Sequence, residues 1–413
     1  MTVLDDFAQH APHPYFSAED GELLVGGRRV SAIAAELGHT PFYAYDRAVM
    51  TRKVQELRAA IPSEVEIHYA MKANPMPAVV QHFCRLVDGI DIASVGEMDV
   101  ALASGMRPER VSFAGPGKTP QELERAVAAG IVINMESELE MQRIAEIARR
   151  TERRPRVAVR VNPDFELKTS GMKMAGGPKQ FGVDAERVPK LLHELAALPL
   201  RFWGFHIYSG SQNLLAGVIA DAQQKSAELA ITLAKDAPGP VRMLNLGGGF
   251  GIPYFPGDQP LDLSPIGAML SGIVTSITAA LPQASVALEL GRFLVGESGV
   301  YICQVVDKKV SRGHVFLVTD GGLHHHLAAS GNFGQVIRKN YPVLIANRIG
   351  SGRRQNASVV GPLCTPLDLL ADRMELAEAE VGDLVAVFQS GAYGLTASPR
   401  GFLGHPEPDE LLV

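Results

Sequence analysis

Cysteine is scarce in this 413-residue chain, which has only Cys84, Cys303 and Cys364. Three thiols cannot form a disulfide framework, and no C-x-x-C spacing suggests a zinc site. No apolar run approaches the roughly 18 residues a membrane helix needs. The first residues, MTVLDDFAQHAPHPYF, lack the basic-then-apolar pattern of a signal peptide. Basic charge is not in excess: 39 Lys and Arg stand against 45 Asp and Glu, a formal net charge of −6. Such a chain is a poor general binder of nucleic acid or anionic membrane. No internal repeat or low-complexity tract occurs. The remaining composition, 46% hydrophobic and 20% charged, is ordinary for a globular protein and ample for a large core. A soluble protein of the reducing cytoplasm is expected.

The middle of the sequence has a rhythm. Short β-rich runs recur at 67–71 (IHYAM), 90–93 (IDIA), 111–114 (VSFA), 132–135 (VINM), 157–161 (VAVRV), 203–208 (WGFHIY), 243–246 (MLNL) and 286–290 (VALEL). Most are near-continuously apolar, as strands buried on both faces should be. Stretches with helical spacing lie between them, such as 121–129 (QELERAVAA) and 138–149 (ELEMQRIAEIAR). Eight alternations predict an α/β fold, a (β/α)₈ barrel, with a doubly wound open sheet as the rival. From about residue 293 onward, β-rich runs follow one another without long helices. They predict a mostly β second domain, to which the β-like pieces of the first 38 residues are assigned. The expected division is 1–38 joining the β domain, 39–291 as the barrel and 292–413 as the β domain. The polar, glycine-containing stretch 164–181 is a candidate lid.

Reacting groups on a barrel gather at the C-terminal ends of its strands. Lys72 ends the first run; Asp91, Ser94 and Glu97 follow the second. Arg160 and Asn162 end the fifth, His206 and Ser209 the sixth, Gly247, Gly248 and Gly249 the seventh, and Glu289 and Arg292 the eighth. The glycine cluster suits a phosphate nest, or simply a tight strand-to-helix turn. Lys72 leaving a buried strand suits a Schiff-base amine, or a snorkelling or ion-paired lysine. Glu289 could hold a protonated pyridine nitrogen or bridge to Arg292. His206 could stack on a flat ring or be a satisfied core histidine. Taken together, an amine for an aldehyde, a nest for a phosphate, an acid for a ring nitrogen and an imidazole for a ring face describe pyridoxal phosphate.

The motifs FYAYD, HYAMKAN, DIASVGE, HIYSGSQ, LNLGGGFG, ELGR, GPLCTPLD and GAYG stand in one order from about residue 42 to 402. In this the chain resembles the fold-type III pyridoxal-phosphate decarboxylases, which include ornithine, arginine and diaminopimelate decarboxylases. The resemblance implies a barrel plus a β domain built from both termini, and a homodimer with shared active sites. It implies that Lys72 binds the cofactor aldehyde, that Asp91 and Glu97 lie near the ring and the lysine, and that Arg160 lies on the phenolic side. It implies that His206 stacks on the ring and Glu289 pairs with its nitrogen. Ser209, Gly248, Gly249, Gly291, Arg292 and Tyr393 are implied at the phosphate. Cys364 would come from the partner subunit and protonate the α-carbon after carbon dioxide leaves.

Thr365 departs from the pattern. Diamine-forming relatives carry an acid there, and a neutral hydroxyl cannot supply the charge-assisted bond a desolvated ammonium needs. Lysine, ornithine, arginine and diaminopimelate become poor candidates, although Asp320 and Asp368 keep them open. The motifs look closest to a biosynthetic subgroup that includes decarboxylases of carrier-bound glutamyl thioesters and members accompanying exopolysaccharide and exosortase systems. The expected substrate is therefore an amino acid or derivative with a neutral, acidic or carrier-tethered distal end. Thr365, Asp320, His324, Arg338 and Arg400 are candidates for contacting it. Three consecutive histidines, 324 to 326, make a weak metal site, because neighbours on a strand point to opposite faces, and no metal is expected. An amino-acid racemase and a non-catalytic cofactor-binding protein are the alternatives. Release of carbon dioxide excludes the first, and turnover of any amino acid excludes the second.

Overall fold

Each of the eight runs is a strand in the computed structural model, which describes residues 4, 7, 9–165, 172–173, 176–333, 335 and 337–413. The barrel strands are β1 (Val65–Ala70), β2 (Gly89–Ile92), β3 (Val111–Phe113), β4 (Val132–Met135), β5 (Arg156–Asn162), β6 (Arg201–His206), β7 (Met243–Gly248) and β8 (Ser285–Leu290). All are parallel, and the order runs β5-β6-β7-β8-β1-β2-β3-β4 before β4 pairs back onto β5. The pairing closes, so the structure is a barrel and the open-sheet rival is excluded.

Local chemistry marks the helix starts. Ser94 and Ser137 cap theirs by accepting the N–H three residues on, and Thr119 and Glu122 form a reciprocal capping box. Outward residues such as Ile67, Tyr69, Ile90 and Ile133 are fully buried. Burying each large apolar side chain contributes roughly 1.5–3 kcal/mol. The barrel interior is not apolar, however. Glu289, His68, Asp91, Ser112, Asn134, Arg160, His206 and Asn245 are all buried; all but Arg160 pair with one another across strands, and Arg160 pairs with Glu136 just past β4. Burial on both faces thus coexists with a polar lumen because each of these groups has a polar partner.

The second compact unit comprises residues 1–53, 252–260 and 292–413, and the barrel unit comprises 54–251 and 261–291. In the second unit the sheet runs Val343–Ile345, Leu384–Val387, Gly299–Ser311, His314–Thr319, Arg354–Val360, Leu369–Ala377. Phe42–Tyr45 is entirely buried in it, paired with Gly299–Ser311 on one side and with Asp409–Leu412 on the other. The boundary expected at residue 39 therefore falls just ahead of a strand of the β unit, and the barrel's own contacts begin at Val54. Phe16, Leu23, Val25 and Ile33 from the N-terminal segment pack with Phe42, Val300, Ile302 and Phe388, which ties both ends of the chain into one core. Among the described residues no helix is long and apolar enough to cross a membrane.

Candidate active site

Lys72 lies in the single 3₁₀ turn Met71–Ala73 that follows β1. Its Nζ donates to Glu289 Oε1 at 3.3 Å and sits 5.4 Å from the centroid of the Tyr208 ring. Its side chain is 42% exposed, whereas that of Glu289 is 5% exposed, so the amine faces an opening and its counter-ion lies beneath it. His206 Nε2 is 2.9 Å from Glu289 Oε2. Burial alone would push the Glu289 carboxyl upward, but Lys72, His206 and Arg160 outweigh it and hold this acid well below the usual carboxylate range. The site thus keeps a permanent buried anion.

Beneath these groups a ladder of polar contacts descends through the lumen. Asn245 Nδ2 donates to Asp91 Oδ2 at 3.3 Å, and Asn245 Oδ1 accepts the Gly247 N–H at 2.8 Å. Asp91 Oδ1 is 3.4 Å from His68 Nδ1, His68 Nε2 is 3.4 Å from Glu66, and Arg110 pairs with Glu66 at 2.7 Å. Burial disfavours the imidazolium, but the Asp91 charge and hydrogen bond, then Glu66, push His68 up to about 10. His68 is therefore a buried cation that balances Asp91. Glu97 accepts the Ala93 N–H at 2.6 Å, and burial raises its carboxyl against the opposing charge of Lys72.

The phosphate-nest expectation has a geometric basis. Gly247 has φ +66°, and a Cβ on Gly248 would lie 2.2 Å from the Glu289 carbonyl oxygen, so no side chain fits where β7 turns over β8. Ser209, Gly210, Gln223 and Gly248 line a small cavity at this turn. Gln223 is 3% exposed, yet neither of its amide atoms has a hydrogen-bond partner among the described residues. The Nδ1 of His206 is buried and equally unpartnered. Unsatisfied buried polar atoms are costly, and those beside a glycine cradle and a lysine–glutamate pair fit a phosphorylated ring. Gly291 ends the barrel unit.

Arg160 Nη1 is committed to Glu136 at 2.8 Å, and its guanidinium covers the Phe181 ring at 4.8 Å. Of the expected lid, residues 166–171 and 174–175 lie outside the described residues; Met172–Lys173 pairs antiparallel with Gly210–Ser211, next to Ser209.

The remaining expected residues lie in the β unit. Arg292 donates to the Tyr254 hydroxyl at 2.9 Å and lies 4.6 Å from the Tyr393 ring centroid, and its buried Nε has no partner among the described residues. Cys364 is an exposed free thiol. Its turn is pinned by Asp368, which accepts the N–H groups of Leu323 at 2.6 Å and Leu363 at 2.8 Å. Thr365 Oγ1 accepts the Leu367 N–H at 3.3 Å. Asp320 accepts the Gln304 N–H at 2.8 Å and the Thr40 hydroxyl. Arg338 spends its guanidinium on Ser330, Asn340 and Leu369, while Arg400 forms a surface pair with Glu407 at 3.1 Å. His324 is fully buried, 3.7 Å from the His325 ring centroid. His325 is bound to Tyr301 and Pro406, and His326 to Ser390. Among the described residues no group of three or more His, Cys, Asp or Glu is arranged to hold a metal ion.

Four contributors escaped the sequence reading. Glu136 follows β4 directly, an acid after a buried strand like Glu289, and that signal was available. His68 stands inside the HYAMKAN motif. Tyr254 carries no local signal, because its partner Arg292 is distant in sequence, and neither does Gln223, which sits within a helix like any other polar residue.

Comparison with known proteins agrees with this arrangement. The model of the family described as "Pyridoxal-dependent decarboxylase, pyridoxal binding domain" matches residues 47–296. The chain is 38% identical to the L-glutamyl-[BtrI acyl-carrier protein] decarboxylase of Niallia circulans, over 90% of this chain and 88% of that protein. It is 32% identical to the diaminopimelate decarboxylase of Aquifex aeolicus, over 97% and 93%. The crystal structure of AQ1208 from Aquifex aeolicus superimposes with a TM-score of 0.85 at 30% identity, covering 97% of this chain and 92% of that one. With a lysine–glutamate pair and a glycine cradle at one end of a closed barrel, and a family match spanning that barrel, this chain belongs to the pyridoxal-phosphate-dependent amino-acid decarboxylases.

Proposed function

We propose that the protein removes the α-carboxylate of an amino-acid derivative whose distal end carries no free ammonium, an acidic aminoacyl group held as a thioester on a carrier protein being the favoured substrate. The observation that carries this reading is Thr365, whose hydroxyl accepts a backbone N–H inside the Cys364 turn. It offers no charge to an ammonium. Asp320 and Asp368, the acids that kept a diamino acid open, are both engaged by backbone N–H groups of their own unit. The carrier-linked substrate of the Niallia circulans relative supports the same choice.

Lys72, Glu289, His206, Ser209, Gln223 and Gly248 are the barrel residues that would hold the cofactor, and Arg292 and Tyr393 keep the phosphate roles the resemblance assigns them. Pyridoxal phosphate, when bound, supplies a sink for the electron pair left on the α-carbon as carbon dioxide departs. Glu289, kept ionised, is suited to hold a proton on a ring nitrogen, and His206 fixes the direction of that carboxylate. Lys72 Nζ rests against Glu289 and is exposed enough for an incoming amine to reach it. The Cys364 thiol is the acid we assign to the α-carbon. It would be contributed across a homodimer, in the reducing cytoplasm where a free exposed thiol persists.

The test is a carbon dioxide release assay on free lysine, ornithine, diaminopimelate and glutamate and on a glutamyl thioester of an acyl-carrier protein. Release from the thioester, with the diamino acids near background, is the expected result. Efficient turnover of any diamino acid overturns the argument from Thr365.

A further inference from the structure

The barrel has a second mouth, at the N-terminal ends of its strands. Arg156 opens β5, Arg201 opens β6 and Arg242 immediately precedes β7. All three guanidiniums gather on one ring, that of Trp203, at 5.3, 5.0 and 5.7 Å from its centroid. Backbone construction aims that ring. The register between β5 and β6 slips between Phe202 and Gly204, leaving Trp203 as the extra residue of a β-bulge, a device that redirects a side chain. Gly204 has φ +152°, and a Cβ there would lie 1.8 Å from the Met243 carbonyl oxygen, so the bulge requires glycine.

A plain aromatic plug for the barrel floor would need no such gathering of like charge. Arg156 donates to the Gly130 carbonyl, but none of the three arginines forms an ion pair among the described residues. Burial, partly offset by the charge of Glu109, and then the neighbouring Arg201 charge lower the proton affinity of Arg156, which marks the group as short of counter-charge. The three arginines and Trp203 line or border a cavity of about 350 Å³ together with Arg110, Ser112, Gln283 and Ser285. Its only lining carboxylates are Glu66, which is paired with Arg110, and Glu109. A cavity of this size suits a small ligand, and planar guanidinium forks match phosphate oxygens two at a time.

We propose that this rear mouth is a binding site for a phosphate-class oxyanion of two or more negative charges, separate from the cofactor cradle. The anion enters between the guanidiniums rather than stacking on Trp203, whose ring they already occupy. Trp203 is the only tryptophan of the chain, so its emission reports the site alone.

The experiment titrates cofactor-loaded protein, freed of excess cofactor, with inorganic pyrophosphate and with ADP while following tryptophan emission. Sodium chloride of matched ionic strength is the control. A saturable change with pyrophosphate, half complete below 1 mM by order of magnitude for three charge-assisted contacts, is expected. Arg201→Gln and Arg242→Gln should each weaken it roughly tenfold, as loss of one such bond implies. Both side chains are at least partly exposed and neither variant should impair folding. Calorimetry on Trp203→Phe provides a readout independent of the fluorophore and should still detect binding. Tighter binding of ADP than of pyrophosphate would assign the phosphate to an organic carrier; equal or weaker binding would assign it to the free anion. Emission that follows ionic strength alone, or titrations unchanged in the Arg201→Gln, Arg242→Gln double variant, would overturn the proposal.

Discussion

Replacing His68 by leucine tests whether the lumen of the barrel is held by a buried cation. In the folded protein the imidazolium stands 3.4 Å from both Asp91 and Glu66. Removing it leaves Glu66 with Arg110 at 2.7 Å but leaves Asp91, among the described residues, with only the Asn245 amide at 3.3 Å. Breaking a buried pair by deleting one partner costs 3–5 kcal/mol, and the long contacts place this case near the low end, about 3 kcal/mol. For a unit of the barrel's size this corresponds to a fall of roughly 6–12 °C in its melting transition. The pH dependence is the sharper signature. The folded histidine titrates at about 10, against about 6.5 when unfolded. Its stabilisation is complete below pH 6.5 and disappears as pH rises toward 10. Calorimetric scans of both proteins from pH 6 to 10 should show the gap shrinking steadily. A gap constant across that range, or a shift below about 2 °C, would refute the assignment of His68 as a buried cation at neutral pH.

Lys72→Ala should remove the visible imine band of cofactor-loaded protein; an unchanged spectrum would remove the lysine from its role. Gln223→Leu should weaken cofactor binding roughly 5- to 100-fold, the range for one lost hydrogen bond in a buried site, when measured by equilibrium dialysis; unaltered affinity would return Gln223 to a packing role. Mixing Lys72→Ala with Cys364→Ala protein should restore part of the activity through hybrid dimers, and no recovery despite verified subunit exchange would count against a shared site. The β unit should be acid-sensitive. Burial holds His13, His324 and His326 at about 3 and His325 at about 4, with neighbouring His325 and His405 adding to the effect at His324. Below pH 6.5 the unfolded chain binds protons that the folded one refuses, so each such histidine should subtract about 1.4 kcal/mol per pH unit down to pH 4. His326→Phe, in contact with Tyr341 and Tyr43, should flatten that slope in denaturation curves, and an unchanged slope would contradict it.

The barrel was legible in the sequence because its strands are short apolar runs between capped amphipathic helices, and both signals are local. The motifs carrying Lys72, His206 and Glu289 were legible for a related reason: a charged residue at the end of a buried strand is costly, so its presence marks a purpose. Where the barrel begins was not legible, since Phe42–Tyr45 reads as a strand either way and only its pairing with Gly299–Ser311 and Asp409–Leu412 assigns it.

By itself, the amino-acid order determined the number and succession of strands and helices, the end of the barrel where chemistry gathers, and the class of cofactor, because each is encoded in spacing and residue type along a few consecutive positions. Tertiary structure alone decided that Asp320, Asp368 and Arg338 are engaged by partners within their own unit. It alone decided that Glu289 answers to both Lys72 and His206, and that three arginines meet over one tryptophan. Those outcomes depend on which groups the folded chain brings within hydrogen-bond or van der Waals reach, many of them far apart in sequence, and no local pattern carries that information.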